Sequence, residues 1–209
     1  MKKILLTTVA VAAISTSAFA DMGMGEDSFY LRADVVGSKI SKANGAKSKM
    51  NNFGMDIGAG YRVMDNMRAE LVYNHLFDPK LKASTALITG KLKFTAHAVM
   101  LRGFVDFADL GMAKLYAGAG LGWAQLGGKV TGKTARGVEF SGKAKNKNNI
   151  AWSVHLGSGF AVADGVTLDV GYSYRDYGKT KEFVDAIKTK RGTASLRAHN
   201  LSAGVRFDI

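Results

Sequence analysis

The stretch Ala198-His-Asn-Leu-Ser-Ala-Gly-Val-Arg-Phe-Asp-Ile209 divides into two sets when read in steps of two. Leu201, Ala203, Val205, Phe207 and Ile209 make one set, and Asn200, Ser202, Gly204, Arg206 and Asp208 the other. A period of two marks a strand whose faces meet different surroundings. This segment follows several others of the same kind. It is therefore expected to pair with the first of them and close a cylinder.

The earlier segments repeat the pattern. The first sets Phe29, Leu31, Ala33 and Val35 against Tyr30, Arg32 and Asp34. The second sets Phe53, Met55, Ile57, Ala59 and Tyr61 against Gly54, Asp56, Gly58, Gly60 and Arg62. In the third, Met67, Ala69, Leu71 and Tyr73 oppose Arg68, Glu70, Val72 and Asn74. The fourth, Lys93 to Val105, is the least regular. Ala96, Ala98, Met100 and Arg102 are placed inside, since arginine on a lipid face near mid-bilayer costs about 2–4 kcal/mol. The fifth points Leu115, Ala117, Ala119, Leu121 and Trp123 outward, the sixth Trp152, Val154, Leu156 and Phe160, and the seventh Leu168, Val170, Tyr172 and Tyr174.

Long connections (40–52, 78–92, 125–149, 179–193) alternate with short ones (64–66, 106–112, 164–165). The fold class predicted is all-β: a closed eight-stranded antiparallel transmembrane β-barrel, an up-and-down meander with long extracellular loops. Outward aromatics fall into two girdles, as in membrane barrels. Phe53, Phe77, Trp123, Trp152 and Tyr174 lie at the loop end, and Phe29, Tyr61, Phe160 and Phe207 at the turn end. A soluble lipocalin-like barrel would turn its apolar face inward and form no girdles.

Composition agrees. The chain has 25 Gly, one Pro and no Cys, and its mean hydropathy is near zero. Alternating strands cancel in this way, and the single Pro79 lies outside every predicted strand, as ladder bonding requires. Residues 1–20 carry Lys2 and Lys3, an apolar run and Ala18-Phe19-Ala20, the pattern of a cleaved signal peptide. Residues 21–209 then form one barrel domain. Removing two lysines takes the formal charge from +12 to +10.

Two groups of charged residues stand out. The inward face carries Arg32, Asp34, Asp56, Arg62, Arg68, Glu70, Arg102, Asp169, Arg175 and Arg206. Charges inside so narrow a barrel must be paired, so they are expected to plug the lumen and set strand register. A charge-lined pore is the alternative. The second group lies in the loops, whose charges are +3, +2, +5 and +3, leaving −3 for the rest of the chain from Asp21 onward. Candidate ligand-binding residues are Lys42, Lys47 and Lys49 in the first loop, and Lys129, Lys133, Arg136, Lys143, Lys145 and Lys147 in the third. Lys188, Lys190 and Arg191 follow in the fourth. Such runs serve solubility and neutralise lipopolysaccharide phosphates, or they bind a polyanion through salt-sensitive contacts.

Several chemistries find no support. Gly118, Gly120 and Gly122 lack the spacing and following helix of a dinucleotide fingerprint. They read instead as small inward residues making room for opposing arginines. His75, His97, His155 and His199 are scattered in sequence, so no metal site or cofactor is expected. Ser153 with His155, and His199 near Ser202, come with no positioned acid, so no enzyme is expected. Outward loops without stacking aromatics exclude nucleic acid as a partner.

Particular motifs resemble a known family. Val166-Thr-Leu-Asp-Val-Gly-Tyr-Ser-Tyr-Arg-Asp-Tyr-Gly178 is similar to the penultimate strand of OmpA-like and opacity-type outer-membrane barrels. Tyr116-Ala-Gly-Ala-Gly-Leu-Gly122 resembles their glycine-rich mid-barrel strand, and His199 to Phe207 their final strand. Size and layout are similar to small alphaproteobacterial surface antigens, including rickettsial-type adhesins. Such barrels usually end in an aromatic residue, whereas this chain ends in Ile209 with Phe207 third from last. With the loop charge, the resemblance implies a monomeric surface antigen or adhesin that engages host glycosaminoglycan or an extracellular glycoprotein. The alternatives are a structural barrel contacting lipopolysaccharide, or a small porin.

Overall fold

The computed structural model describes residues 29–40, 51–77, 80–85, 88–134, 139–179, 183–185, 190–191 and 195–209. The expected signal segment 1–20 and the lysines of the first loop, Lys42, Lys47 and Lys49, lie outside them.

The strands are β1 (Phe29–Ile40), β2 (Asn51–Met64), β3 (Met67–Leu76), β4 (Lys80–Thr85), β5 (Ile88–Asp109) and β6 (Ala113–Thr134). They continue with β7 (Glu139–Ala163), β8 (Val166–Lys179), β9 (Phe183–Asp185), β10 (Lys190–Arg191) and β11 (Ser195–Asp208). Eight of them (β1, β2, β3, β5, β6, β7, β8 and β11) each pair antiparallel with two neighbours and close on themselves. The closing strand pairs with the first from Tyr30↔Asp208 to Ile40↔Ala198. The Ile209 amide also donates to the Phe29 carbonyl at 3.0 Å. Closure removes the unpaired edges that a sheet cannot leave in hydrocarbon.

Alternation sorts the side chains as the period of two requires. Trp123 is 73% exposed, Leu201 68% and Leu121 65%, whereas Arg102 is 1% and Glu70 1% exposed. Only a lipid solvent makes that inversion favourable, and it excludes the lipocalin-like arrangement. The fourth barrel strand buries Ala96, Ala98, Met100 and Arg102.

Two short turns follow the sequence closely: residues 65–66, and 164–165 with Gly165 at φ 69°. The third is tighter than expected. β5 runs to Asp109, which pairs with Lys114, and an irregularity between Asp106 and Ala108 lets the strand continue.

The largest departure concerns the loops. The stretch 125–149 is for the most part not a loop but a continuation of β6 and β7, paired from Gln125↔Asn148 to Lys133↔Glu139. Likewise β4 pairs with β5 from Lys80↔Lys93 to Thr85↔Ile88, and β9 pairs with β7 and β10. A six-stranded sheet in the order β4-β5-β6-β7-β9-β10 thus rises above one side of the barrel mouth. Lysine-rich composition hid these strands, because lysine disfavours a strand only weakly and pairing decides.

Candidate functional site

The lumen is filled. Asp56 on β2 accepts from Arg175 on β8 at 2.6 and 3.0 Å, and from Arg102 on β5 at 2.9 Å. Glu70 on β3 accepts from Arg32 at 3.0 Å and from the Tyr30 hydroxyl at 2.8 Å. Arg32 also reaches Asp34 at 2.6 Å, and Arg206 holds Asp169 at 2.5 Å. Two further carboxylates complete the set: Asp106 pairs with Arg68, and Asp208 with Arg62 at 2.6 Å. Asp106 belongs to β5, although 106–112 reads from sequence as a turn. Six arginines and six carboxylates are therefore matched inside the barrel among the described residues. Matching of this kind is what makes buried charge tolerable.

Inward glycines make space for rings as well as for arginines. A Cβ at Gly157 would lie 2.5 Å from the Tyr116 hydroxyl, and one at Gly118 would meet the Phe104 ring. Gly120 does face Arg102, together with Ser153. Arg68 in turn stacks over Phe104 and Tyr116, 4.8 and 4.5 Å from their centroids. Above the charges, Met100, Leu126, Leu196, Ile40, Leu76 and Tyr177 belong to a buried apolar cluster at the loop end.

Ser153 and His155 do meet, with Oγ 2.8 Å from Nε2. Ser153 is 1% exposed, and the imidazole also packs against the Phe104 ring at 5.3 Å. Ser153 is therefore enclosed in the lumen rather than presented to a substrate.

The outer sheet organises the basic residues. Register places Lys80, Lys93, Lys129 and Lys143 opposite one another on four successive strands. The row continues through Val184 to Lys190. Five of its six positions are lysines, spread over roughly 24 Å at about 4.8 Å per strand. The next row, Leu81, Leu92, Val130 and Gly142, is apolar or small, and the one beyond is Lys82, Lys91, Thr131 and Ser141. Alternate rows have the same phase in a strand of period two, so register brings these lysine positions together.

A register shift between Leu126 and Gly128 opposite β7 decides which lysines join these rows. Lys143 falls opposite Lys129, whereas Lys147 falls opposite the buried Leu126. The two-residue spacing of Lys143, Lys145 and Lys147 would have put all three on one face. Lys133 pairs with Glu139, Arg191 with Phe183, and Lys145 lies in the irregular stretch of β7. Arg136 and Lys188 lie outside the described residues. Lys93 reads from sequence as the first residue of a barrel strand, although Lys80-x-Lys82 and Lys91-x-Lys93 both carry the strand period.

A closed eight-stranded barrel with an apolar exterior, a filled polar lumen and long hairpins at one mouth is a bacterial outer-membrane barrel with surface-exposed loops. The chain belongs to the outer membrane protein beta-barrel domain family, whose profile matches residues 6–207. A protein of Rickettsia conorii strain Malish 7, named as a candidate adhesin, is 38% identical over 249 residues, covering both chains completely. A candidate adhesin of Rickettsia felis is 34% identical over 227 residues, again covering both chains completely. Among solved structures, Neisserial surface protein A superimposes with a TM-score of 0.54 at 24% identity, covering 87% of this chain and 97% of its own. The fold is shared with that protein, and the chain is homologous to the candidate adhesins.

Proposed function

We propose that this barrel is an adhesin whose outer lysine rows bind a polyanion on host cells, either a sulfated glycosaminoglycan or an acidic stretch of glycoprotein. The carrying observation is the row Lys80, Lys93, Lys129, Lys143 and Lys190. Like charges directly opposite across strands are destabilising, by roughly 0.2–1 kcal/mol per pair. A row of five has a physical rationale if an extended anion neutralises it. Homology to candidate adhesins supports the same reading.

Height separates this from contact with lipopolysaccharide phosphates. Lys129 lies six residues beyond the girdle residue Trp123 along β6. That is about 20 Å of strand, and about 15 Å above the girdle for a strand tilted by about 40°. A headgroup layer is only about 5–8 Å deep on each side of the hydrocarbon. Lys129 therefore stands clear of that layer, which favours a ligand outside the bilayer over envelope support. The filled lumen argues against a porin.

The test uses cells displaying the full barrel, with immobilised heparin and cultured host cells as targets. Changing Lys93, Lys129 and Lys143 together to Gln should cut retention about tenfold and flatten its salt dependence. Lys145 and Lys147 to Gln should matter less. Unchanged retention in the first variant removes the basis for the reading. The export signal proposed for residues 1–20 is checked by sequencing the outer-membrane form, which should begin at Asp21.

A further inference from the structure

The lipid-side face holds a cluster that neither the lumen nor the lysine sheet uses. His75 on β3 and His97 on β5 are directly opposite in register, although 22 residues separate them in sequence. Their Nδ1 atoms are 2.9 Å apart and their rings 4.6 Å apart. The Tyr73 hydroxyl, two residues before His75 on the same face, lies 2.7 Å from the same His97 Nδ1. Phe77 packs edge-on against His75 at 4.7 Å, and Gln125 is the β6 neighbour of His97. The cluster therefore sits at the loop-end aromatic girdle, where lipid gives way to water. Both imidazoles are half-buried rather than enclosed.

Two atoms, the His75 Nδ1 and the Tyr73 hydroxyl oxygen, converge on the His97 Nδ1. A neutral imidazole nitrogen can either donate or accept, so His97 Nδ1 meets more lone pairs than one proton can satisfy. A cation resolves that conflict. Metal–imidazole bonds are about 2.0–2.1 Å long. At that length, two nitrogens 2.9 Å apart subtend about 90° at the metal, whereas a tetrahedral site would need them about 3.3 Å apart. Adjacent donors at a right angle, with an oxygen as the third, are the square-planar or tetragonal preference of Cu2+ and Ni2+.

We propose that His75, His97 and Tyr73 form a surface site for a divalent late transition-metal ion of the Cu2+ or Ni2+ type, held between β3 and β5 at the outer girdle. The two Nδ1 atoms are its equatorial ligands and the phenol oxygen a neighbouring one. Binding would displace the proton shared by the imidazoles and clip the two strands together where β3 ends.

His199 supplies an internal control. It faces the same girdle and contacts the Tyr172 hydroxyl at 2.6 Å, but no second imidazole is paired with it in register.

The untagged barrel, refolded in detergent micelles, is titrated with Cu2+ and followed by calorimetry and electron paramagnetic resonance. One tight Cu2+ per chain is expected, with hyperfine structure from two nitrogens. His75→Ala or His97→Ala should weaken binding about tenfold or more and leave one nitrogen in the spectrum. Tyr73→Phe should keep both nitrogens, and His199→Ala should change nothing. All these side chains face outward, so the variants are expected to fold, as heat-modifiable gel migration reports. For any that do not, the unaltered barrel supplies a second measurement. Cu2+ should protect His75 and His97, but not His199, from diethylpyrocarbonate, as mapped by peptide mass. The proposal is overturned by the absence of a stoichiometric site, or by a site and protection pattern indifferent to His75 and His97.

Discussion

The two ends of the lumen are filled by opposite means. Toward the loops, Met100, Leu126, Leu196 and their neighbours make a small apolar core. From mid-barrel to the turn end, arginines and carboxylates bridge strands that are not neighbours, as Asp56 on β2 does with Arg175 on β8. The first region works like the core of any soluble protein. The second is polar because the exterior carries the apolar burden. Their failure modes differ. Losing a methyl group from the apolar end leaves a cavity of limited cost, whereas losing one partner from the ionic end strands a charge.

That contrast can be broken experimentally, and the largest effect should come from its most connected member. Asp56→Ala leaves Arg102 and Arg175 without a shared carboxylate, and should cost about 3–5 kcal/mol. Urea unfolding of the barrel in lipid vesicles, followed by tryptophan fluorescence, measures it. A cost no greater than that of a surface change would mean that water solvates the network. Leu126→Ala, at a site fully shielded from solvent, should cost about 2–4 kcal/mol in the same assay. Replacing both partners of one pair, Asp169→Leu with Arg206→Met, should recover most of the loss that Asp169→Leu causes alone. Additive losses would show that the two side chains act independently and that their pairing contributes nothing. Outside the lumen, Lys129→Gln should shift stability by no more than about 0.5 kcal/mol, and upward if anything, because it relieves like-charge opposition. Across all of these, the wild-type barrel in planar bilayers should show no stable conductance steps. Persistent steps would mean that neither filling seals the lumen.

Much of the barrel could be read from alternation alone. The inward positions of Arg32, Glu70 and Arg206 follow from a period of two and from the cost of charge in lipid. The apolar stopper could be read that way only in part. Ala96, Ala98 and Met100 follow the phase of Arg102, but at Leu126 the inward residue is apolar and its outward neighbour Gln125 polar, so the usual contrast is inverted. The outer sheet was hidden for a related reason. Its rows alternate lysine with leucine or glycine, and low hydropathy resembles a loop until pairing partners are known. Lys93 and the separation of Lys143 from Lys147 depend on register, and a shift between Leu126 and Gly128 lies in no composition. The same holds for His75 and His97, unremarkable apart and opposed once β3 pairs with β5.

The sequence by itself determined which residues face lipid, how many strands the barrel has and which mouth bears the positive charge. Each follows from local periodicity and from the free energy of moving single groups between solvents. Tertiary structure alone decided which charges meet, how far the hairpins stand above the membrane, and which lysines and histidines become neighbours. Those depend on register, and register is a property of two strands together, which no single stretch contains.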